Sequence, residues 1–115
     1  MDVQAARHIA LALPEVTEAP HFDFNSFRVR GKIFVTVPPD QEHIHIFVDE
    51  QDRMLALAMY PAWVEPLHWG KKVAGLRIRL AYAESSAVHH LVRAAWRNKA
   101  PKRLVAASEL SGPVA

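Results

Sequence analysis

Four arginines alternate with apolar residues in two β-rich runs of the sequence. Arg28 and Arg30 lie in one run, and Arg77 and Arg79 lie in the other. Because side chains alternate across a strand, the arginines of each run project from one face. Guanidinium and ammonium groups bind phosphates through charge, and arginine adds paired hydrogen bonds. If the two strands are neighbours, the sequence predicts a basic sheet face that binds DNA through Arg28, Arg30, Lys71, Lys72, Arg77 and Arg79.

One other interpretation of these cations stays open at the level of sequence. The outer arginines can simply keep one face of a sheet soluble. No zinc-finger pattern and no aromatic signature of an RNA-recognition strand accompanies them. The nucleic-acid prediction therefore depends on the strands being adjacent.

An aromatic segment offers an alternative site of a different class. Residues 60–69 combine four aromatic or imidazole side chains with two prolines, which predicts a structured loop that can include a short edge strand. Such rings usually pack into a core, and Trp96 on a later helix is a candidate neighbour. If they line a cleft instead, the chain is a protein or small-ligand interaction module that uses Tyr60, Trp63, His68 and Trp69.

A third alternative is a metal binder. His43 and His45 are two residues apart on a predicted strand, so their side chains share a face, and His21, His68 or an acid would complete a site. A group of acids at residues 49–52 offers oxygen ligands for a hard cation. The same acids are explained by the start of a helix, where they cap the first turn and complement its dipole. We therefore predict no metal site and no cofactor.

No constellation of residues predicts catalysis. Cysteine is absent, the serines lie in no nucleophile-elbow pattern, and the four glycines form no phosphate-binding loop. Glu15 and Glu18 have no visible partner for acid–base chemistry. We expect a binding protein rather than an enzyme.

The charges are segregated along the chain although the net charge is only +2. Acids predominate between Glu15 and Glu65, whereas Glu84 is the only acid between Lys71 and Arg103. A basic half that stays on one surface attracts polyanions. No segment reaches the roughly 18 apolar residues of a membrane span, and no signal-peptide pattern follows Met1. We expect a cytoplasmic protein with DNA as its possible partner and no membrane association.

The elements that position these residues follow from periodicity. Residues 2–13 predict a helix capped by Asp2, and residues 15–23 predict a loop that contains Pro20. Residues 25–30 and 33–37 predict a hairpin around Gly31, and residues 43–48 predict a third strand. The later elements are a helix over residues 50–59, a strand over 76–80, a helix over 84–100 that Ser85 caps, and a loosely held tail over 105–115.

These elements predict a single domain over residues 1–104. Consecutive strands joined by short turns form an antiparallel sheet, and the two longer helices cover one of its faces. The expected fold class is therefore α+β with two layers. Oligomeric state does not follow from this pattern.

Several short motifs resemble the MmcQ/YjbR-like proteins. They are residues 11–18 (Leu-Ala-Leu-Pro-Glu-Val-Thr-Glu), residues 27–34 (Phe-Arg-Val-Arg-Gly-Lys-Ile-Phe), the pair Tyr60-Pro61 and the pair His68-Trp69. The resemblance runs from Ala5 to Leu104. It implies a frataxin-like α+β architecture and a DNA-binding role. The sequence departs from the commoner members after Trp69.

Overall fold

Six strands and four α-helices follow one another within residues 1–110. The computed structural model describes residues 1–110. The elements are α1 (Val3–Leu11), β1 (Val16–His21), β2 (Phe24–Val29), β3 (Lys32–Val37), β4 (His43–Ile46), α2 (Glu50–Met59), β5 (Val64–Trp69), β6 (Lys72–Arg79), α3 (Ser85–Lys99) and α4 (Lys102–Leu110).

The strands form one antiparallel sheet in the order β1-β2-β3-β4-β6-β5. Three tight hairpins and two longer connections produce this order, because antiparallel neighbours need only a short turn. The predicted α+β fold with an antiparallel sheet is confirmed.

Two hairpin turns lie at the same end of the sheet. The β2–β3 turn is formed by Arg30 and Gly31, which have φ angles of 52° and 81°, as a two-residue type I′ turn requires. The β5–β6 turn is formed by Gly70, with a φ of 63°, and Lys71. Because β3 and β6 both run antiparallel to β4, their first residues lie at the same end of the strands. We call this end of the sheet the turn end.

One face of the sheet is buried under helices. Phe27, Val35, Ile46 and Leu76 form a row across β2, β3, β4 and β6, and each is at most 2% exposed. Helix α3 contacts β3 and β4, and α1 packs beside it. The apolar stripe of α3 is buried as its spacing predicts, and each large side chain contributes about 1.5–3 kcal/mol. This is the core of the domain.

The N-terminal half of the sheet contains a strand that the sequence did not predict. Residues 15–23, expected to form a loop, include β1, which pairs with β2 along its whole length. The expectation was wrong because Pro20 does not interrupt the strand. Since β1 is an edge strand, a proline there need not interrupt the hydrogen bonds to its neighbour.

Two helix starts match the predicted caps and one does not. The side chains of Asp2 and Asp49 accept hydrogen bonds from the backbone N–H groups of Ala5 and Asp52, at 2.9 and 2.8 Å. Helix α3 instead begins after Glu84, whose side chain makes no capping hydrogen bond. Ser85 is therefore the first helical residue and not the cap.

The predicted loose tail is also corrected. Residues 105–110 belong to α4, in which Leu104 and Val105 pack against the core and Glu109 pairs with Arg97 of α3 at 2.8 Å. The apolar pair explains why the chain stays helical beyond Pro101. Residues 111–115 of the predicted tail lie outside the described residues. None of the helices described is long and apolar enough to cross a membrane.

Gly75 of β6 packs closely against β4, and a substitution there tests the packing of these two central strands. A Cβ atom at this position would collide with the backbone carbonyl oxygen of Ile46 and crowd the ring of Phe47. We expect Gly75→Ala to lower the free energy of unfolding by about 1–3 kcal/mol, as overpacking against a backbone atom does. Urea unfolding measures this change. An unaltered midpoint would contradict the close approach of β4 and β6.

Candidate functional site on the outer face of the sheet

A row of polar side chains crosses the sheet face opposite the core row. Direct pairing places Ser26, Thr36, His45, Arg77 and Glu65 side by side on β2, β3, β4, β6 and β5. Paired residues share a face, so this row defines what we call the outer face. Its first three members are buried although no core helix covers them. The side chains around these polar groups must therefore account for their burial.

His45 is the least satisfied member of this row. Its side chain is 8% exposed, and its Nε2 atom has no hydrogen-bond partner among the described residues. Burial, together with the charges of Arg77 and His43, lowers the pKa of His45 to about 4. The imidazole is therefore neutral at pH 7. An unpaired buried nitrogen costs about 1–3 kcal/mol of stability.

His45 lines a cavity of about 560 Å³ on the outer face. Aromatic rings form much of its wall: the centroid of Phe24 lies 6.0 Å from that of His45, and those of Phe47 and Trp69 are 5.5 Å apart. Trp69 remains 62% exposed. The complete lining is His21, Phe22, Asp23, Phe24, Ile33, Thr36, His45, Phe47, Trp69, Lys72, Ala74 and Lys99. The cavity thus combines stacking surfaces with a buried polar atom and charged groups.

The four predicted arginines do not form one patch. Strands β2 and β6 are separated by β3 and β4, so Arg28 and Arg77 lie on strands roughly 14 Å apart. Arg30 forms an ion pair with Glu15, and a guanidinium nitrogen of Arg77 lies 3.5 Å from Asp40. The adjacency on which the combined patch depended is therefore wrong. Strand order, which the sequence left open, decides this.

The remaining cations divide between the two ends of the sheet. Arg79 lies at the end away from the turns, with its guanidinium carbon 5.7 Å from the ring centre of Tyr82. Lys71 and Lys72 lie at the turn end, are exposed, and form no ion pair within residues 1–110. Arg28 and Arg30 lie towards the same end, and Arg28 donates a hydrogen bond to the Ser26 hydroxyl at 3.2 Å.

The aromatic segment also separates into two parts. Tyr60 and Trp63 stack with centroids 4.7 Å apart, and Trp63 is 7% exposed within the core. Trp69 lies at the opposite end of β5, about 20 Å along the strand, beside exposed His68. The predicted four-residue ligand site is therefore not formed. Trp69 alone contributes to the cavity, while Trp96 is buried in the core.

The histidine pair does not assemble a metal site in the predicted way. His43 lies with Asp40 and Glu42, whose ligand atoms are within 4.8 Å of one another, but His45 is not part of this exposed group. His43 Nδ1 is 2.8 Å from the Asp40 carboxylate. Asp49 caps α2, as its position predicts. The absence of a metal site stays a prediction, and metal binding by these residues stays the alternative to it.

Comparison with known proteins supplies the family. A family model described as YjbR matches residues 11–98, which include all six strands and nearly all of α3. The chain belongs to the YjbR family. The resemblance to MmcQ/YjbR-like proteins is thereby confirmed.

One solved YjbR-like structure supports the same fold. It is DR2400 of Deinococcus radiodurans, a protein with a DUF419 domain, and it superposes with a TM-score of 0.68 at 19% identity. The alignment covers 83% of this chain and 75% of that one. A search of curated proteins finds no significant match. At this level of identity the comparison establishes the fold alone.

Sequence reasoning missed most of the cavity in this YjbR-family chain. Phe24, Phe47 and Lys99 come from β2, the end of β4 and the end of α3, and nothing in their spacing links them. A weak signal was present, because Thr36 and His45 are polar residues inside apolar strands. Such residues indicate a face that is not core.

The depressed pKa of His45 predicts loss of stability in acid. As the pH falls from about 6.5 to 4, the unfolded chain protonates this histidine while the folded chain does not, so unfolding becomes more favourable. Relative to a His45→Phe variant, we expect the wild type to lose about 2–3 kcal/mol between about pH 7.5 and 4.5. Urea unfolding at the two pH values measures this difference.

The matched control is the same substitution at His89, an exposed residue of α3. If His89→Phe changes the pH dependence as much as His45→Phe does, the acid sensitivity does not come from the buried imidazole.

Proposed function

We propose that this YjbR-family protein binds nucleic acid, through phosphate contacts at the turn end of the sheet. The observation that carries the proposal is the position of the two hairpin turns. Both project from the turn end, and they present Lys32, Lys71 and Lys72, which are exposed and form no ion pair within residues 1–110. Ammonium groups in this state are available to a polyanion.

The spacing of the two turns supports contact with more than one phosphate. Strand β4 alone separates β3 from β6, and the backbones of Lys32 and Lys72 lie at nearly the same height, with Lys32 paired to a core-facing residue and Lys72 on the outer face. Two strand spacings amount to about 10 Å. That distance lies between the widths of the minor and major grooves of duplex DNA, about 6 and 12 Å. The two turns can therefore contact separate phosphates.

Arg28 and Arg30 have a secondary role in this proposal. Arg30 is held by Glu15, at 2.5 Å between Nε and Oε1, so a phosphate would have to compete with that carboxylate. Arg28 is half-buried and bonded to Ser26. Arg77 is engaged by Asp40, and Arg79 lies at the far end of β6. We therefore leave these last two arginines outside the interface.

The segregation of charge along the sequence agrees with a cationic surface. Lys71 and Lys72 belong to the basic half of the chain, and the acidic half is partly neutralised by its pairs with Arg7, Arg30 and Arg77. We propose a binding protein without a catalytic step. Phosphate contacts of this kind give affinity rather than sequence preference.

Salt dependence tests the proposal quantitatively. If Lys32, Lys71 and Lys72 each contact one phosphate of duplex DNA, the logarithm of the association constant falls with a slope near −2.7 against the logarithm of salt. Affinity should then weaken about 40-fold between about 50 and 200 mM salt. Fluorescence anisotropy of a labelled duplex measures the slope. Absence of binding at about 50 mM salt would overturn the proposal.

Lys71→Ala and Arg79→Ala form a matched pair of variants. Both remove one positive charge from an exposed residue of the β5–β6 hairpin, at opposite ends of it. We expect Lys71→Ala to reduce the slope by about 0.9 and Arg79→Ala to leave it unchanged. Equal effects of the two variants would contradict an interface at the turn end.

A further inference from the structure

We infer that the cavity around His45 binds a small planar aromatic compound that carries one anionic group, a carboxylate or a phosphate. The inference is independent of nucleic-acid binding, because it rests on His45, Phe24 and Phe47, which take no part in the proposed phosphate contacts. Lys72 alone is common to both surfaces.

The shape of the cavity favours a small ligand over a macromolecule. Its volume of about 560 Å³ falls within the range of small-molecule sites, about 300–1,000 Å³. Phe24, Phe47 and Trp69 offer ring faces from three different strands or strand ends. Aromatic rings prefer offset or edge-to-face contact with other rings. The aromatic lining therefore favours a ligand with a flat ring.

The buried imidazole supplies the polar recognition. More than nine-tenths of the His45 side chain is buried, and its Nε2 atom makes no hydrogen bond within the described residues. Its row neighbour Ser26 shows the usual arrangement, since the Ser26 hydroxyl donates to the Ala19 carbonyl at 2.7 Å. A buried polar atom without a partner is rare in a purely structural role. Nε2 has almost no solvent-accessible surface, so a polar group beside the ligand's ring would satisfy this nitrogen by displacing the side chains that cover it.

The charges of the lining favour an anion. Lys72 and Lys99 line the cavity at the turn end, and neither forms an ion pair within residues 1–110. The one carboxylate in the lining is Asp23, in the turn between β1 and β2, at the other end of the sheet. A carboxylate or phosphate near the two lysines would form charge-assisted hydrogen bonds. The cavity is therefore polarised, with its cationic side beside Trp69.

Binding of 2-naphthoate to the full chain tests the inference. Isothermal titration should show saturable binding with a dissociation constant on the order of 1 mM, which a ring compound of this size can reach. The neutral analogue 2-naphthamide has the same ring without the charge, so it should bind about tenfold more weakly. Titration with phenyl phosphate distinguishes a phosphate preference from a carboxylate preference. The indole N–H resonance of Trp69 should shift during titration.

Matched variants locate the site. Trp69→Ala and Tyr82→Ala each remove an exposed ring, but only Trp69 lines the cavity. We expect Trp69→Ala to weaken 2-naphthoate binding about tenfold and Tyr82→Ala to leave it unchanged. Lys99→Met should remove the preference for 2-naphthoate over 2-naphthamide. His45→Phe should weaken binding while raising the urea midpoint, because it removes an unpaired buried nitrogen.

The outcomes separate this inference from the proposed function. Failure to bind 2-naphthoate or phenyl phosphate up to about 10 mM overturns the cavity inference and leaves the DNA titration untouched. Equal binding of 2-naphthoate and 2-naphthamide overturns the anionic specificity. A loss of affinity equal for Trp69→Ala and Tyr82→Ala indicates nonspecific adsorption and also overturns it. Conversely, Lys71→Ala, which alters no lining residue, should leave 2-naphthoate affinity unchanged even if it abolishes DNA binding.

Discussion

The packing of α3 against the central strands determines which face of the sheet becomes the outer face. Val88, Val92 and Trp96 of this helix are fully buried, and the Trp96 indole N–H donates to the Pro14 carbonyl at 3.1 Å. This hydrogen bond joins α3 to the segment between α1 and β1, so both helices cover the same side. The polar row of Thr36, His45 and Arg77 then lies on the other side of the central strands. The cavity and the His45 imidazole therefore lie on the face that α3 leaves uncovered.

The outer face combines two requirements that oppose each other. Stability favours covering Thr36 and His45 with the rings of Phe24 and Phe47, and both polar residues are indeed buried. Burial in turn penalises an imidazole that lacks a partner, and it depresses the pKa of His45. A chain under selection for stability alone would place an apolar residue at this position. A histidine at this position agrees with the ligand site inferred for the cavity.

The order of the strands, more than the composition of the sequence, decides which surface charges form ion pairs. In the acidic half Arg30 is paired with Glu15, and exposed pairs of this kind contribute little to stability, whereas Lys32 forms no ion pair within residues 1–110. Arg77 is held by Asp40, which approaches from the connection between β3 and β4. Lys71 lies in the two-residue turn between β5 and β6, and Lys72 is the first residue of β6. Within residues 1–110, Lys32, Lys71 and Lys72 therefore lie unpaired at the turn end, and Arg79 lies unpaired at the opposite end.

Local patterns determined the elements whose signals are contained within a few residues. The hairpin around Gly31, the alternation of residues 76–80 and the apolar stripe of α3 were all predictable, because turn chemistry and periodicity act over short distances. The motifs shared with YjbR-like proteins identified the family for the same reason. Strand β1 was missed because a proline is compatible with an edge strand, and edge position is a property of the whole sheet.

The composition of the site was decided by tertiary structure. Whether Arg28 and Arg77 meet depends on strand order, and strand order depends on contacts between residues distant in the sequence. The same holds for Phe24, His45, Trp69 and Lys99, which converge from four separate elements. The sequence alone determined that this chain is a cysteine-free α+β domain with a basic C-terminal half. Only the antiparallel order of six strands decided which cations remain free and which histidine is enclosed, because burial and pairing are set by neighbours across the sheet.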